Sequence, residues 1–225
     1  MLENPVWAAL SGPQACFAEA SGDAARYQPD VSPFCAVADF DDPAAWADLA
    51  ELTDKAFLTG PKITPPDGWE PHRVVTGAQM VGHGMTGVPD EEAVVLGETD
   101  VPEILDLVER AQPGPFGKRT VELGRYLGLR HEGRLVAMAG ERLQTPGWTE
   151  VSAVCTDPAF RGRGLGARLT MAVAAGILDR GDLPFLHVTA ENEGAIRLYE
   201  RLGFQVSHQV QFASFTRRAH PRGPA

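Results

Sequence analysis

The chain has 225 residues, 44% of them hydrophobic and 22% charged, a composition that can bury a core in one large domain or two small ones. Its net charge of −10 is unevenly spread: residues 1–100 hold 17 acidic and 4 basic side chains and residues 101–225 hold 13 and 16, a balance that disfavours nucleic acid as a partner, since phosphate binders usually show a concentrated basic face. No apolar run reaches the roughly 18–20 residues of a membrane span, and Met1-Leu-Glu-Asn-Pro-Val lacks a secretory leader's basic and apolar regions, so no membrane association and a cytoplasmic location are expected.

In chain order, Asp42-Pro43 reads as an N-cap followed by proline at the first helical position. Trp46, Leu49, Ala50 and Thr53 then follow helical spacing, with Phe57 continuing that face. Thr59 to Gly68 is dense in turn formers, and His72 to Val81 carries the β-prone Val74, Val75 and Thr76. His72 and His83 stand alone and read as loop or surface residues. Gly82 to Asp90 is rich in Gly and Pro and suggests a domain boundary. The expected division is an N-terminal α/β region over 1–95, a second domain over 96–218, and a disordered tail over 219–225.

Beyond the boundary, Thr99-Asp100-Val101-Pro102 opens a helix with Ile104, Leu105, Val108 and Ala111 on one stripe. Strands are expected at Tyr126 to Arg130, Leu135 to Arg142 and Thr149 to Thr156, the first two joined at His131 to Arg134. A helix over about 164–179 follows, with Leu165, Leu169, Ala172, Val173, Gly176 and Ile177 on one face, then a strand from Phe185 to Ala190. Asn192 is placed to cap a short helix carrying Ala195, Leu198, Tyr199 and Leu202, which Gly203 stops. Two last strands are expected at Phe204 to Val206 and Gln209 to Phe215. The fold class is α/β, in the sense of an α+β mixed sheet.

Most of the chemistry gathers between Val154 and Ala167. An apolar strand stops at Asp157-Pro158, and a turn follows with Gly162, Gly164 and Gly166 interleaved with Arg161, Arg163 and Leu165. Glycine lets backbone N–H groups approach a ligand, and the helix N-terminus that follows adds unpaired donors and partial positive charge. With the two arginines, this is an anion cradle for a diphosphate-bearing cofactor. A dinucleotide fingerprint fits poorly, because Asp157-Pro158 parts strand from turn and no acidic strand end follows at about 20 residues. A P-loop would need Gly-Lys-Ser/Thr, which is absent. Cys16, Cys35 and Cys155 are scattered and suggest neither disulfides nor a metal site, and no metal is expected.

Two blocks, Val154-Cys-Thr-Asp-Pro-Ala-Phe-Arg-Gly-Arg-Gly-Leu-Gly-Ala167 and Val188-Thr-Ala-Glu-Asn-Glu-Gly-Ala-Ile-Arg-Leu-Tyr-Glu-Arg-Leu-Gly-Phe204, resemble the GNAT superfamily of acyl-CoA-dependent N-acyltransferases over about residues 97–218. The resemblance implies transfer of an acetyl or other short acyl group from acetyl-CoA, or another acyl-CoA, to an amine by direct attack in a ternary complex. It implies that Val154, Cys155 and Thr156 pair with the pantetheine arm, that backbone from Arg161 to Ala167 holds the pyrophosphate, and that Asn192 meets the cofactor arm while capping its helix. Tyr199 would be the general acid and would also touch the cofactor. Glu150 would be the general base, with Glu141 or a water chain as competitors. Cys155 and His187 read as packed, structural residues. The loop Pro113 to Arg119, with Phe116, lies where the family shapes its acceptor pocket. In a subset of the superfamily the N-terminal half is a degenerate copy of the same fold, which is the expectation for residues 1–95. The acceptor is expected to be a small-molecule amine or a protein or peptide amine, and the protein a monomer or homodimer. A non-catalytic acyl-CoA-binding sensor is the alternative.

Overall fold

The structure, a computed structural model, describes residues 2–218. The N-terminal segment forms α1 (Pro5–Leu10), β1 (Ala18–Ser21), β2 (Ala24–Tyr27) and β3 (Cys35–Val37). The three strands make a small antiparallel sheet. Asn4 caps α1, its Oδ1 accepting from Trp7 N, with Pro5 at the first helical position. The same logic holds at α2 (Pro43–Leu52), where Asp42 Oδ1 accepts from Ala44 N at 2.9 Å. α2 ends at Leu52, so Phe57 does not continue it: Phe57 lies in β4 (Lys55–Gly60), and Thr53 and Asp54 break the helix first.

β4 is followed by β5 (Trp69–Val81), β6 (Val94–Leu96), α3 (Val101–Ala111), β7 (Tyr126–His131), β8 (Arg134–Thr145) and β9 (Trp148–Thr156). The β7–β8 turn places Glu132 (φ 50°) and Gly133 (φ 81°) in left-handed conformation, as a two-residue hairpin requires. The stripe of α3 that reaches the core is Ile104 and Leu107, with Val108 and Ala111 beside them. Then come α4 (Leu165–Asp179), β10 (Leu183–Thr189), α5 (Glu193–Arg201) and β11 (Gln205–Arg217). The two expected C-terminal strands are one: β11 runs through, its irregularity absorbed by a register shift between Val206 and His208. The expected tail over 219–225 lies outside the described residues.

The main sheet has eight strands in the order β4-β11-β5-β10-β9-β8-β7-β6. All neighbours are antiparallel except β9 and β10. The division expected at residue 95 does not coincide with any break in this sheet. β5, from the N-terminal side, lies between β10 and β11 from the C-terminal side, and β4 pairs with β11. Residues 1–95 are therefore not a self-contained copy of the C-terminal unit: β4, β5 and β6 belong to the shared sheet, and only β1–β3 form a sheet apart.

Among the described residues, four apolar clusters hold the layers together. α4 and Tyr199 of α5 cover one face through Leu169, Val173 and Ile177 against Ala137, Leu186 and Val188. On the opposite face, α1 and the small sheet pack Val6, Leu10, Tyr27 and Phe34 against Leu143 and Phe185. α2 closes the β4/β11 edge with Trp46 against Trp69 and Phe215, ring centroids 5.8 Å apart in both pairs. α3 covers β8 and β9 through Ile104 and Leu107.

Candidate active site

β9 and β10 pair only over Trp148–Glu150 and Leu183–Phe185. Beyond Glu150 the two strands part, because β10 continues antiparallel to β5 while β9 continues along β8. The β9 edge from Val151 to Thr156 thus keeps backbone N–H and C=O groups that β10 does not use, and such groups need partners. A bulge adds to the parting: Ala153 sits at φ 53°, where the β8–β9 register shifts between Met138 and Gly140. A left-handed alanine costs on the order of 1–2 kcal/mol, which the neighbouring ladder holds in place.

A single continuous cavity of about 990 Å³ fills this fork. One arm follows the predicted cradle. Val154, Cys155 and Thr156 line it from β9, and Arg161, Gly162, Gly164, Leu165, Gly166 and Ala167 from the turn and the start of α4. Gly162 (φ 78°) and Gly164 (φ 77°, the N-cap of α4) adopt backbone that other residues rarely take. Asn192 and Tyr199 close the arm from α5. Asn192 caps α5, its Oδ1 accepting from Ala195 N at 3.1 Å, and it also borders the cavity. Arg163 is the exception. It does not border the cavity; its guanidinium lies 4.8 Å from the centre of the Phe160 ring.

Tyr199 is buried, with Phe204 edge-on at 6.0 Å, and burial alone pushes its hydroxyl up to about 12. It therefore keeps its proton at neutral pH and can donate it. Cys155 gives the cavity its backbone, while its side chain belongs to the cluster under α3, where burial pushes the thiol up to about 12. A thiol so protonated is no nucleophile, in line with its reading as a packed residue.

The second arm was hidden from motif reading. Phe34 and Phe57, stacked at 4.8 Å, meet Val75 and Phe212 there, with Arg73, Arg142, His187 and Ser214 alongside. Pro113, Gly114 and Pro115 border the cavity as the loop reading expected, but Phe116 does not: its ring packs edge-on to Tyr126 at 5.4 Å.

Glu150 lies behind this arm and does not border it. It is fully buried and bound by two hydrogen bonds from Arg142, Nε to Oε2 at 2.7 Å and Nη2 to Oε1 at 2.6 Å. Its Oε1 also meets His187 Nδ1 at 2.7 Å. Burial alone would raise the Glu150 carboxyl, but the Arg142 charge and these hydrogen bonds outweigh it and hold the group at about 2. Glu141 is likewise away from the cavity, accepting from Arg180 Nη2 at 2.8 Å. Arg142 itself stacks over the Phe34 ring at 4.8 Å. The sequence signal for this cluster is weak: His187 alone sits inside an apolar run, while Arg142 and Glu150 have polar neighbours, and the three meet only because β8, β9 and β10 are adjacent.

Comparison with known proteins bears on the family and the fold. The family described as FR47-like protein matches residues 126–213. A crystal structure of a putative acetyltransferase from the GNAT family of Novosphingobium aromaticivorans superposes with a TM-score of 0.90 at 42% identity, over 97% of this chain and 99% of that one. A GCN5-related N-acetyltransferase from Kribbella flavida shares the fold, with a TM-score of 0.60 at 18% identity over 96% of each chain. Among curated relatives, the N-alpha-acetyltransferase RimI of Mycobacterium tuberculosis is 42% identical over 85 residues, 36% of this chain and 51% of that protein. A mycothiol acetyltransferase of Mycobacteroides abscessus is 37% identical over 109 residues, 45% of this chain and 34% of that protein. The chain thus spans about half or less of the length of these two curated relatives.

Proposed function

Because the chain belongs to the GNAT family of acetyltransferases, we propose that it transfers the acetyl group of acetyl-CoA to an amine by direct attack in a ternary complex. The observation that carries this reading is the cavity at the strand fork, whose lining includes the glycine-rich cradle, Tyr199 and the aromatic residues together. The residues present fit a CoA-type ligand. The unpaired β9 edge from Val154 to Thr156 offers hydrogen bonds to the amides of a pantetheine arm, as an added strand would. Gly162 and Gly164 leave open space where a side chain would stand, so backbone N–H groups and the N-terminus of α4 can meet a pyrophosphate. When bound, acetyl-CoA supplies the activated acyl thioester.

The chain's own groups do the rest. Phe34, Phe57 and Phe212 hold the apolar body of the acceptor and exclude water around its nitrogen. Tyr199 donates its phenolic proton to the departing sulfur, and burial keeps that proton in place until it is needed.

The test is release of free CoA from acetyl-CoA in the presence of a panel of aromatic monoamines, α-amino acids and short peptides with free N-termini. Tyr199→Phe is expected to lower kcat about 100-fold while acetyl-CoA binding measured by calorimetry stays within about twofold. Full activity in that variant would remove the acid role. Tight acetyl-CoA binding by the wild type with no turnover on any amine would leave a binding module instead of an enzyme.

A further inference from the structure

Along β10, Leu186 and Val188 turn toward α4. Alternation sends His187 to the opposite face, where its ring stands edge-on to Phe185 at 5.7 Å and to Phe212 at 5.9 Å. The side chain is 1% exposed and belongs to a residue on the cavity wall. Glu150 Oε1 meets Nδ1 at 2.7 Å. Glu150 is a carboxylate held ionised by two hydrogen bonds from Arg142, so it can only accept, and Nδ1 must carry the proton. With Nδ1 committed to Glu150, Nε2 is the ring nitrogen left to accept. That atom is buried and has no hydrogen-bond partner among the described residues. Buried polar atoms are almost always paired, and an orphan in a residue that borders a ligand cavity points to a group that arrives with the ligand.

We propose that His187 Nε2 accepts the proton of the attacking amine, with Glu150 as the residue that positions the ring and Arg142 as the cation that keeps Glu150 ionised. The inference rests on the acetyl-transfer reading and adds the base that reading lacks. An ammonium N–H proton moves to Nε2, freeing the nitrogen lone pair. That pair forms the bond to the acyl carbon as the carbon–sulfur bond breaks, and its electrons leave on sulfur, which takes the Tyr199 proton. The second proton lost by nitrogen restores Tyr199, and His187 releases its own to solvent, so one proton is released per turnover. The groups around the imidazole are Phe185 on its own strand, Glu150 on β9, Arg142 behind it on β8, His208 and Phe212 on β11, and Gln79 opposite it on β5. Gln79 Nε2 lies 3.3 Å from His208 Nε2, and Glu3 acts on His208 by its charge. None of these supplies the missing partner of His187 Nε2.

The experiment compares wild type, His187→Gln and His187→Ala with acetyl-CoA and the amine that the wild type turns over fastest. Gln keeps an N–H for Glu150 but has no basic nitrogen. His187→Gln is expected to bind acetyl-CoA within about twofold of wild type and to lose about 100- to 10,000-fold in kcat. If the wild type loses kcat/KM at acid pH, that loss should be absent from His187→Gln. Imidazole added to His187→Ala should restore turnover in proportion to its neutral form and should do nothing for His187→Gln. Should His187→Gln fail to fold, rescue of His187→Ala by imidazole decides alone. A His187→Gln enzyme within a few fold of wild type, an unchanged acid limb, or no rescue by imidazole overturns the assignment while acetyl transfer stands. A wild type that binds acetyl-CoA and acetylates no amine removes both.

Discussion

The two arms of the cavity are built by opposite means. The cradle arm is a contiguous piece of chain, Val154 to Ala167, and it presents backbone: an unpaired strand edge, glycines at positive φ and a helix N-terminus. The aromatic arm is assembled from positions 34, 57, 73, 142, 187 and 212 and presents side chains. A ligand that every member of a family shares can be held by groups that any sequence possesses, provided the backbone is bent correctly. An acceptor that differs among members has to be met by side chains, which are free to differ. The first arm should therefore respond to backbone geometry, and the second to truncation and charge.

The largest expected effect is on the second arm. Arg142→Met leaves the buried Glu150 carboxylate without its cation, and loss of one partner of a buried pair costs about 3–5 kcal/mol. Denaturant melts should show that loss at neutral pH, while the folded fraction should still bind acetyl-CoA. Stability unchanged by Arg142→Met would mean that the two arms are not distinguished by buried charge.

Acid should act on the same pair. Because the Glu150 carboxyl is depressed from 4.5 to about 2, its contribution is fully present above about pH 5 and is lost as pH falls through about 2. Over that window the loss is on the order of 3 kcal/mol. Melts of Arg142→Met across the same range should lack this component.

The smallest effect belongs to the cradle. At Gly164 a Cβ would meet nothing within 4 Å, so Gly164→Ala tests φ alone. A left-handed alanine costs on the order of 1–2 kcal/mol, so a modest fall in melting temperature and weaker acetyl-CoA binding are expected. The Phe34–Phe57 stack should be untouched. Binding at full strength by Gly164→Ala would show that the cradle does not depend on that backbone.

These contrasts explain what could be read from the chain alone. The glycine turn, the capped helices at Pro43–Leu52 and Glu193–Arg201, and the hairpin at Glu132-Gly133 were legible because each is decided by neighbours in sequence. The strand from Trp69 to Val81 was legible as a strand, but its place between β10 and β11 was not, since nothing local records which strands will flank it. Phe57 was misread because its spacing from Trp46 suits a helix, whereas Thr53 and the pull of β11 make it a strand residue. α1 and the hairpin that follows went unread, although Asn4-Pro5 carries the same capping signal as Asp42-Pro43. His187 was read as structural on the evidence of its apolar neighbours. Its function-bearing features, the contact with Glu150 and the orphaned Nε2, arise only when three strands are laid side by side.

The interleaving of the main sheet has a kinetic side. β4 and β5 are close in the chain but never touch as neighbours; β11 separates them, and Ile63 N–H finds its acceptor, Gln211 Oε1, 148 positions later. Both early strands must wait, edges bare, for a partner near the opposite end of the molecule. Long-range pairing of this kind slows folding and leaves unpaired edges open to other chains in the meantime. The aromatic arm draws Phe57 from β4, Arg73 from β5 and Phe212 from β11, so it is incomplete until these long-range pairings have formed. The cradle, made within one short stretch of chain, can form well before it.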